Sequence, residues 1–324
     1  MLTVVIPAFN EENMILKTAG TTAEILKREQ IPYEILFVND GSSDRTWDRV
    51  RDAARKDPAV RGVSFSRNFG KESAIHAGLS EARGECVVVM DCDLQHPPQK
   101  IPEMYRLWQQ GYEVVEGVKH SRGKENIFHR LSAVIFYSLM GKSVHMDMSR
   151  ASDFKLMDRK VVDVLAAMPE RNAFFRALSS WVGYRTAVVE FDVQEREAGA
   201  SKWSVTSLTR YAVRNITSFT SAPMRMVTWA GVLMLLFAVI LGVQSLVRYF
   251  SGHALEGFTT VILLLLLIGS CMMISLGIIG IYIARIYDEV KARPRYLISG
   301  RTEENDEDEK DGIQFRSQKY TKTT

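Results

Sequence analysis

Short apolar runs alternate with amphipathic segments along the first 120 residues of the chain. The apolar runs predict strands at 2–6, 33–38, 60–65, 86–90 and 114–117. The segments between them predict helices at 12–28, from a cap at 43 or 44 to 56, at 71–83 and at 99–110. Strands that alternate with helices in this way form right-handed crossovers, so we predict an α/β domain with a mostly parallel sheet.

Polar clusters follow four of these strands, at 7–12, 39–44, 66–72 and 91–95. The carboxyl ends of parallel strands lie at one edge of a sheet, where open α/β sheets bind their ligands. We therefore expect one shared ligand site there. The dinucleotide fingerprint Gly-x-Gly-x-x-Gly is missing after the first strand, and a P-loop would need a glycine where the chain has Phe65.

Two carboxylates, Asp91 and Asp93, directly follow the buried strand at 86–90. A buried carboxylate is unfavourable unless it is paired or binds a metal, and residues 86–98 contain no Lys or Arg. The pair therefore favours a divalent cation on oxygen ligands, which would neutralise a diphosphate in the absence of a glycine loop. The alternative is a solvated turn with two incidental aspartates. Asp40, after the second strand, suits a hydrogen bond to a base or ribose.

The chain changes character after about residue 223. Residues 226–247 and 257–284 contain no Asp, Glu, Lys or Arg, and about 20 apolar residues suffice to cross a bilayer. We predict two membrane spans, with a soluble helical hairpin as the alternative. Basic residues precede the first span and follow the second, which places both termini and the N-terminal domain in the cytoplasm. The chain opens directly into a strand, so we expect no cleavable signal peptide.

Charge and composition narrow the picture further. The net charge of +3 provides no basic field for nucleic acid, and the three cysteines match neither a zinc site nor a disulfide framework. Residues 205–219 mix apolar side chains with arginines, which predicts an interfacial helix or, alternatively, an ordinary surface helix. The predicted segments are an α/β domain at 1–203, an interfacial helix at 204–224, two spans within 225–287 (about 226–247 and 258–284) and a cytoplasmic, partly disordered tail at 288–324.

Six motifs occur in a fixed order along the chain. They are PAFNEE at 7–12, VNDGSSD at 38–44, SRNFGKE at 66–72, DCDLQHPP at 91–98, SDFKLMDR at 152–159 and REAGASKW at 196–203. Together they resemble the family-2 glycosyltransferases, which have a Rossmann-like GT-A fold. Within that family the chain is similar to the polyprenyl-phosphate glycosyltransferases, which include dolichyl-phosphate mannose synthase and the bactoprenol glucosyltransferases. The resemblance covers residues 1 to about 295. The motifs are weak evidence for which sugar is transferred.

The resemblance implies three groups of site residues. The nucleoside pocket would be lined by Pro7, Phe9, Glu11, Val38 and Asp40. The diphosphate and a Mg²⁺ or Mn²⁺ ion would meet Asp91, Cys92, Asp93 and Gln95. Of these, Asp93 and Gln95 are the favoured metal ligands, Asp91 is a third candidate nearer the ribose or sugar, and Cys92 is a spacer. Cations and a hydroxyl for the donor or acceptor phosphate would come from Lys119, Arg130, Arg196, Ser201 and Lys202.

Some of these cations have a plainer interpretation. Lys119 stands where many relatives carry Arg, and a lysine lacks the bidentate fork. Arg130 could equally be an ordinary interfacial cation on the amphipathic segment 127–140, and loop cations such as Arg196 and Lys202 are often merely solvated.

The implied reaction is an inverting transfer of one sugar from a nucleotide sugar to polyprenyl (undecaprenyl) phosphate, for cell-envelope glycosylation. UDP-glucose and UDP-N-acetylglucosamine are the favoured donors. Asp93, Asp153 and Arg196 are the catalytic candidates, with Asp153 as a weak base or an orienter. A two-span anchor leaves room for a homo-oligomer.

Two rival functions stay open at this point. A processive membrane polysaccharide synthase would normally carry Gln-x-x-Arg-Trp, and none of the five Trp residues follows an Arg. The other rival is a non-catalytic scaffold that binds nucleotide sugars at the membrane. The intact acidic and basic motifs argue against it.

Overall fold

The computed structural model of the 324-residue chain is described here for residues 1–119, 152–170, 174–192, 222–251 and 258–303. Two compact units divide the chain. The first comprises Met1–Leu131, Asp147–Lys202 and Pro294–Thr324, and the second comprises Ser132–Met146 and Trp203–Arg293.

The first unit is an α/β domain. Its strands are β1 (Leu2–Ala8), β2 (Tyr33–Asn39), β3 (Val60–Phe65), β4 (Cys86–Val89), β5 (Val114–Lys119), β6 (Lys155–Asp158), β7 (Thr186–Phe191) and β8 (Ile298–Arg301). Its helices are α1 (Ile15–Arg28), α2 (Thr46–Lys56), α3 (Lys71–Glu81), α4 (Ile101–Gln109), α5 (Arg159–Ala167) and α6 (Phe175–Trp181), and a short 3₁₀ turn at Pro98–Lys100 precedes α4.

The eight strands form one sheet in the order β7-β5-β6-β4-β1-β2-β3-β8. The pairs β1–β2, β1–β4, β2–β3 and β5–β7 are parallel, while β4–β6, β5–β6 and β3–β8 are antiparallel. The α/β class and the mostly parallel sheet predicted from the sequence are therefore confirmed. The central strands are mostly apolar because helices cover both faces of a parallel sheet, and Val4, Val5, Val87 and Val88 are fully buried.

The helix starts differ most from the sequence prediction. Helix α1 begins at Ile15 and not at 12, because the backbone of Glu11 and Glu12 bonds side chains of the second loop. The cap predicted at 43 or 44 is too early, because the N-cap residue is Arg45 and the helix starts at Thr46. The Asp44 carboxylate, one position before the N-cap, accepts a hydrogen bond from Thr46 N at 3.0 Å. The strand predicted at 60–65 has the same bounds in the structure.

Strand β8 was not predicted from the sequence, and it falls in the segment 288–324 that we expected to be the tail. It pairs with β3 and is fixed by Ser66 N, which donates to Leu297 O at 3.0 Å, and by Thr302 N, which donates to Gly62 O at 3.0 Å. The Tyr296 ring stacks on Phe65 with centroids 4.9 Å apart. The chain thus returns to the α/β sheet after its last long helix.

The second unit contains two long apolar helices, α7 (Ala222–Phe250) and α8 (Phe258–Val290). Stretches of 19 residues in α7 (Met226–Gln244) and 24 residues in α8 (Leu267–Val290) have mean hydropathies of 2.5 and 2.1. Leu233 is 67% exposed and Ile274 is 64% exposed, so these helices do not bury their apolar side chains as a soluble core helix would. By length and composition both can cross a bilayer.

Candidate active site at the carboxyl edge of the sheet

The polar segments of the α/β unit meet at one edge of the sheet. Strands β1 to β4 are parallel, so the loops after their carboxyl ends share that edge. Strand β6 runs the other way, and Lys155 pairs with Val89, which brings Asp153 to the same edge from its amino-terminal side. Strand β5 ends there at Lys119, which is in register with Phe191 of β7. The expectation of one shared edge holds for every described cluster.

The loops after β1 and β2 interlock through hydrogen bonds. Asn10 N donates to Ser42 Oγ at 3.0 Å, and Ser43 N donates to Asn10 Oδ1 at 2.9 Å. Gly41 has a φ of 62°, and a Cβ there would come within 2.2 Å of the Arg67 backbone. Only glycine permits that close approach of the second and third loops, so the edge is built as one rigid surface.

The carboxylate of Asp40 lies within this surface and accepts hydrogen bonds there. Asp40 is 3% exposed, and it accepts hydrogen bonds from Phe69 N at 2.7 Å and Gly70 N at 2.9 Å. Burial raises the pKa of this carboxyl against the effect of those bonds. We expected Asp40 to bond a base or ribose, and the structure places it at that edge but engages it with the third loop.

The other residues predicted for the nucleoside pocket differ in exposure. Phe9 is 45% exposed, while Pro7 near the end of β1 and Glu11 in the first loop are half-buried. Val38 is fully buried within β2, so its side chain supports the edge from below. The exposed Phe9 ring is the apolar surface that a planar base could stack on.

The turn after β4 holds Asp91 and Asp93 in a fixed geometry. Cys92 is buried between them, and its carbonyl accepts a hydrogen bond from Thr18 Oγ1 at 2.7 Å. Leu94 has a φ of 59°, and Gln95 N donates to Asp93 Oδ1 at 3.1 Å, which closes the turn. Burial raises the pKa of the Cys92 thiol, which supports the predicted role of a spacer and not of a nucleophile.

His96 supports this turn from behind. Its Nδ1 accepts a hydrogen bond from Asp91 N at 3.1 Å, and its ring stacks on Phe154 with centroids 5.1 Å apart. Burial lowers the pKa of His96, so the imidazole is neutral and its Nδ1 can accept. The residue therefore has a structural role in this turn.

A network of charged side chains joins this turn to Asp153. Lys71 Nζ lies 2.6 Å from Asp91 Oδ1 and 2.9 Å from Asp153 Oδ2. Arg176 binds Asp153 through two hydrogen bonds, from Nε to Oδ1 at 2.7 Å and from Nη2 to Oδ2 at 2.8 Å. Two carboxylates and two cations thus lie in direct contact across four separate segments of the chain.

This network controls the protonation of its members. Burial alone would raise the pKa of Asp153, but the bonds and charges of Arg176 and Lys71 hold it well below its usual range. Burial would likewise lower the pKa of Lys71, yet Asp91 and Asp153 raise it above its ordinary value. Asp153 is therefore ionised and Lys71 charged at every physiological pH.

Glu72 fixes the helix that carries Arg176. Its carboxylate accepts a hydrogen bond from Phe175 N at 2.8 Å, at the start of α6. Burial raises the pKa of Glu72 to about 7. Two consecutive side chains at the start of α3 therefore contribute to the site. Lys71 contacts Asp153, and Glu72 contacts the first residue of α6.

A second buried ion pair supports the approach to β6. Lys155 is 1% exposed, and its Nζ lies 3.0 Å from Glu116 Oε1 and 2.6 Å from Ser179 Oγ. Glu116 also accepts from Ser152 N at 2.9 Å. These contacts fix the backbone on both sides of Asp153, since residues 152 and 155 are held by the same carboxylate.

Sequence reasoning missed several of these residues. Lys71 lies in the motif at 66–72, but the sequence assigned it no role. Arg176, Glu72 and the Glu116–Lys155 pair were not predicted as site residues. A buried lysine inside the apolar run of β6 was the one available signal. Arg130, Arg196, Ser201 and Lys202 lie outside the described residues. Lys119 is exposed at the end of β5.

The fit of a divalent metal can be judged from the donor groups. Asp93 and Gln95 are half-buried oxygen-bearing residues in one turn, and such ligands suit Mg²⁺ or Mn²⁺. Asp91 is bound by Lys71, which makes it a poorer ligand. Within the described ranges no group of three or more His, Cys, Asp or Glu residues could form a complete cage. The residues therefore fit an ion that takes its other ligands from phosphate and water.

Comparison with known proteins agrees with this architecture. The profile of "Glycosyl transferase family 2" matches residues 3–165. The "Uncharacterized glycosyltransferase YkcC" of Bacillus subtilis is 38% identical over 302 residues, 91% of this chain and 92% of the relative. The "SfII prophage-derived bactoprenol glucosyl transferase" of Shigella flexneri is 38% identical over 299 residues, 92% of this chain and 97% of the relative.

Among solved structures, glucosyl-3-phosphoglycerate synthase from Mycobacterium tuberculosis, in complex with Mn²⁺, UDP and glucosyl-3-phosphoglycerate, aligns with a TM-score of 0.44 and 19% identity. The alignment covers 66% of this chain and 76% of that chain. The family match and the relatives at 38% identity confirm the resemblance read from the six motifs. The mixed sheet with its flanking helices has the GT-A-like architecture. The chain is an enzyme that belongs to glycosyl transferase family 2.

Proposed function

We infer that this glycosyltransferase moves one sugar, with glucose favoured, from a nucleotide sugar to a polyprenyl phosphate. The observation that carries the proposal is the joined edge site, in which the Asp91–Asp93 turn and Asp153 are linked by cations. Relatives named bactoprenol glucosyl transferase match 92% to 93% of this chain, including both apolar helices, which supports a lipid acceptor. UDP-glucose and UDP-N-acetylglucosamine are the favoured donors.

The reaction would place the two substrates on opposite sides of Lys71. The nucleoside would lie against Phe9 in the first loop, and its diphosphate would lie at the turn that carries Asp93 and Gln95. These two residues would hold a Mg²⁺ or Mn²⁺ ion, which when bound stabilises negative charge on the leaving diphosphate. Asp93 is thereby the first catalytic candidate.

The acceptor phosphate would attack from the side of Asp153. A phosphate oxygen forms a bond to the anomeric carbon while the bond to the diphosphate breaks and its electron pair leaves with the nucleotide. In-line attack inverts the anomeric configuration. A phosphate monoester has its second pKa near ~6 and is mostly dianionic at neutral pH, so the nucleophile needs no strong base. Arg196, Ser201, Lys202, Arg130 and Lys119 remain the proposed contacts of the two phosphates.

The two apolar helices would anchor the enzyme in the cell membrane. The basic residues that flank them in the sequence favour a cytoplasmic α/β unit and cytoplasmic termini. A polyprenyl phosphate in the inner leaflet and a cytoplasmic nucleotide sugar are then both accessible to one chain. The two-helix anchor also leaves room for a homo-oligomer.

A donor screen tests the proposal. The full chain in lipid nanodiscs is incubated with undecaprenyl phosphate, Mg²⁺ or Mn²⁺ and single UDP- or GDP-sugars, and the lipid fraction is analysed by mass spectrometry. We expect one hexose, or one N-acetylhexosamine, added to the lipid phosphate with the wild type and none with Asp93→Ala. A polymeric product would favour a processive synthase, and no lipid-linked sugar with any donor would contradict the proposal.

A further inference from the structure

Asp153 is held more tightly than a proton acceptor needs to be. It is 5% exposed, and both of its oxygens accept hydrogen bonds from Arg176 while Oδ2 also accepts one from Lys71. Three of about four acceptor positions of the carboxylate are thus used by cations. Bonds of this kind stabilise the ionised form, so a proton bound by Asp153 would have to displace them.

Arg176 is itself fixed from outside the network. It is the second residue of α6, a short helix whose first amide donates to Glu72. Glu72 and Lys71 are neighbours at the start of α3, so one helix end determines the position of both cations that bind Asp153. This arrangement keeps the fork of Arg176 in register with the carboxylate.

The charges of the network balance. Asp91 and Asp153 contribute two negative charges, and Lys71 and Arg176 contribute two positive ones. A phosphate dianion that approaches Asp153 therefore meets a neutral group and not a bare carboxylate. The groups that face Asp153 from every packed element are Lys71, Glu72, Asp91, His96, Lys155 and Arg176.

We propose that Arg176 and Lys71 are positioning residues that hold Asp153 as a permanent anion, so that Asp153 orients the site and does not take the proton of the acceptor. This inference rests on the proposed transfer to a phosphate acceptor. It adds Arg176 and Lys71 to the site and decides between the two roles open for Asp153. Lys71 also links the donor-side turn to the acceptor side, because it binds Asp91 and Asp153 together.

The first test compares Arg176→Gln, Arg176→Lys and the exposed control Arg55→Gln in the full chain. We expect Arg176→Gln to lower kcat by about 10- to 100-fold, because a small misplacement in a preorganised site has an effect of that order, with KM for the nucleotide sugar unchanged. Arg176→Lys keeps the charge but loses the fork, so it should restore activity only in part. An Arg176→Gln enzyme with the kcat of Arg55→Gln would overturn the proposal.

The second test asks which group sets the acid limb of the pH profile. With no enzyme base, the limb should follow the acceptor, near pH ~6 for a phosphate, and should move to higher pH with a less acidic phosphonate acceptor. A limb that stays at the same pH with both acceptors belongs to an enzyme group and would overturn the proposed role of Asp153. The control Glu72→Gln removes a neighbouring carboxyl whose pKa is raised by burial to about 7.

A readout independent of transfer separates this inference from the proposed function. Because the pKa of Asp153 is lower in the folded than in the unfolded chain, its ionised carboxylate stabilises the fold at pH values above the unfolded pKa of about 3.9. This stabilisation is lost as the pH falls from there toward the pKa of the folded state. The Tm of the wild type should therefore exceed that of Arg176→Gln at pH 7, and the gap should shrink only below about pH 3.9, where the carboxyl of the unfolded chain becomes protonated. A gap that stays constant as the pH falls below about 3.9 would overturn the network, whereas a wild type without lipid product would overturn the function alone.

Discussion

The two acidic sites at the edge of the sheet are built in different ways. Asp93 lies half-buried in a tight turn, where Gln95 N is a hydrogen-bond donor to it. Asp153 is almost fully buried, and two cationic side chains from α3 and α6 bind it. The protein itself neutralises Asp153, whereas the turn that carries Asp93 has the oxygen groups that a divalent cation prefers.

This difference teaches how one edge can bind two anionic substrates. A carboxylate next to a phosphate is repulsive unless a positive charge lies between them. On the donor side we propose that the charge arrives with a metal ion. On the acceptor side it is permanent, since Lys71 and Arg176 are fixed by the fold. Lys71 contacts Asp91 on the donor side and Asp153 on the acceptor side, so it connects the two sides.

Removal of the donor-side carboxylate should have the largest effect. We expect Asp93→Ala to lower turnover by about 100- to 1,000-fold, the range observed when one electrostatic contact to developing charge is lost. Chelation of divalent metal should abolish wild-type activity, and Mg²⁺ or Mn²⁺ should restore it. Initial rates with labelled nucleotide sugar measure both effects. Full activity of Asp93→Ala would remove this residue from the metal site.

Loss of the bridging cation should have the next largest effect. We expect Lys71→Met to lower kcat by about 10- to 100-fold, as loss of an orienting partner does at metal sites, because Asp91 and Asp153 then repel each other. The exposed Lys56→Met on α2 is the matched control. Steady-state kinetics of the two variants measures the effect, and equal rates would show that the donor and acceptor sides are not coupled through Lys71.

The polar clusters at the strand ends could be read from the sequence, because hydrophobic runs define the strands and parallel strands bring their carboxyl ends together. The Asp91–Asp93 turn was located in this way. The partners of Asp153 could not be found, since Lys71 is 82 positions away in the chain and Arg176 is 23 positions away. Strand β8 was missed because it has only four residues, Ile298–Arg301, without an apolar run, and gains its stability from pairing with β3.

The buried Asp40 offers a structural contrast with both acidic sites, because its hydrogen-bond donors among the described residues are backbone amides. We expect Asp40→Ala to destabilise the fold by about 1–3 kcal/mol, since Phe69 N and Gly70 N lose their acceptor. Denaturant unfolding of the full chain in detergent, followed by Trp fluorescence, measures the change. A variant as stable as the wild type that has lost nucleotide binding would return Asp40 to the nucleoside pocket.

The smallest effect should come from Glu72, the support of Arg176. Its pKa is raised to about 7 by burial, so it favours the fold most below its ordinary value of 4.5, and this contribution is lost as the pH rises through about 7. Glu72→Gln keeps an acceptor for Phe175 N and cannot ionise. Its Tm should therefore fall less between pH 5 and pH 8.5 than that of the wild type or of the exposed control Glu103→Gln. Parallel Tm profiles of all three would contradict this pKa.

The most direct test of the account is the identity of the product. Wild-type enzyme in nanodiscs that contain undecaprenyl phosphate is given a nucleotide sugar, and the lipid is analysed by mass spectrometry and anomeric NMR. The account predicts a single sugar on the lipid phosphate with inverted anomeric configuration. The amount of this glycolipid should equal the amount of nucleoside diphosphate released. A sugar polymer, a retained configuration or nucleotide release without any glycolipid would contradict it.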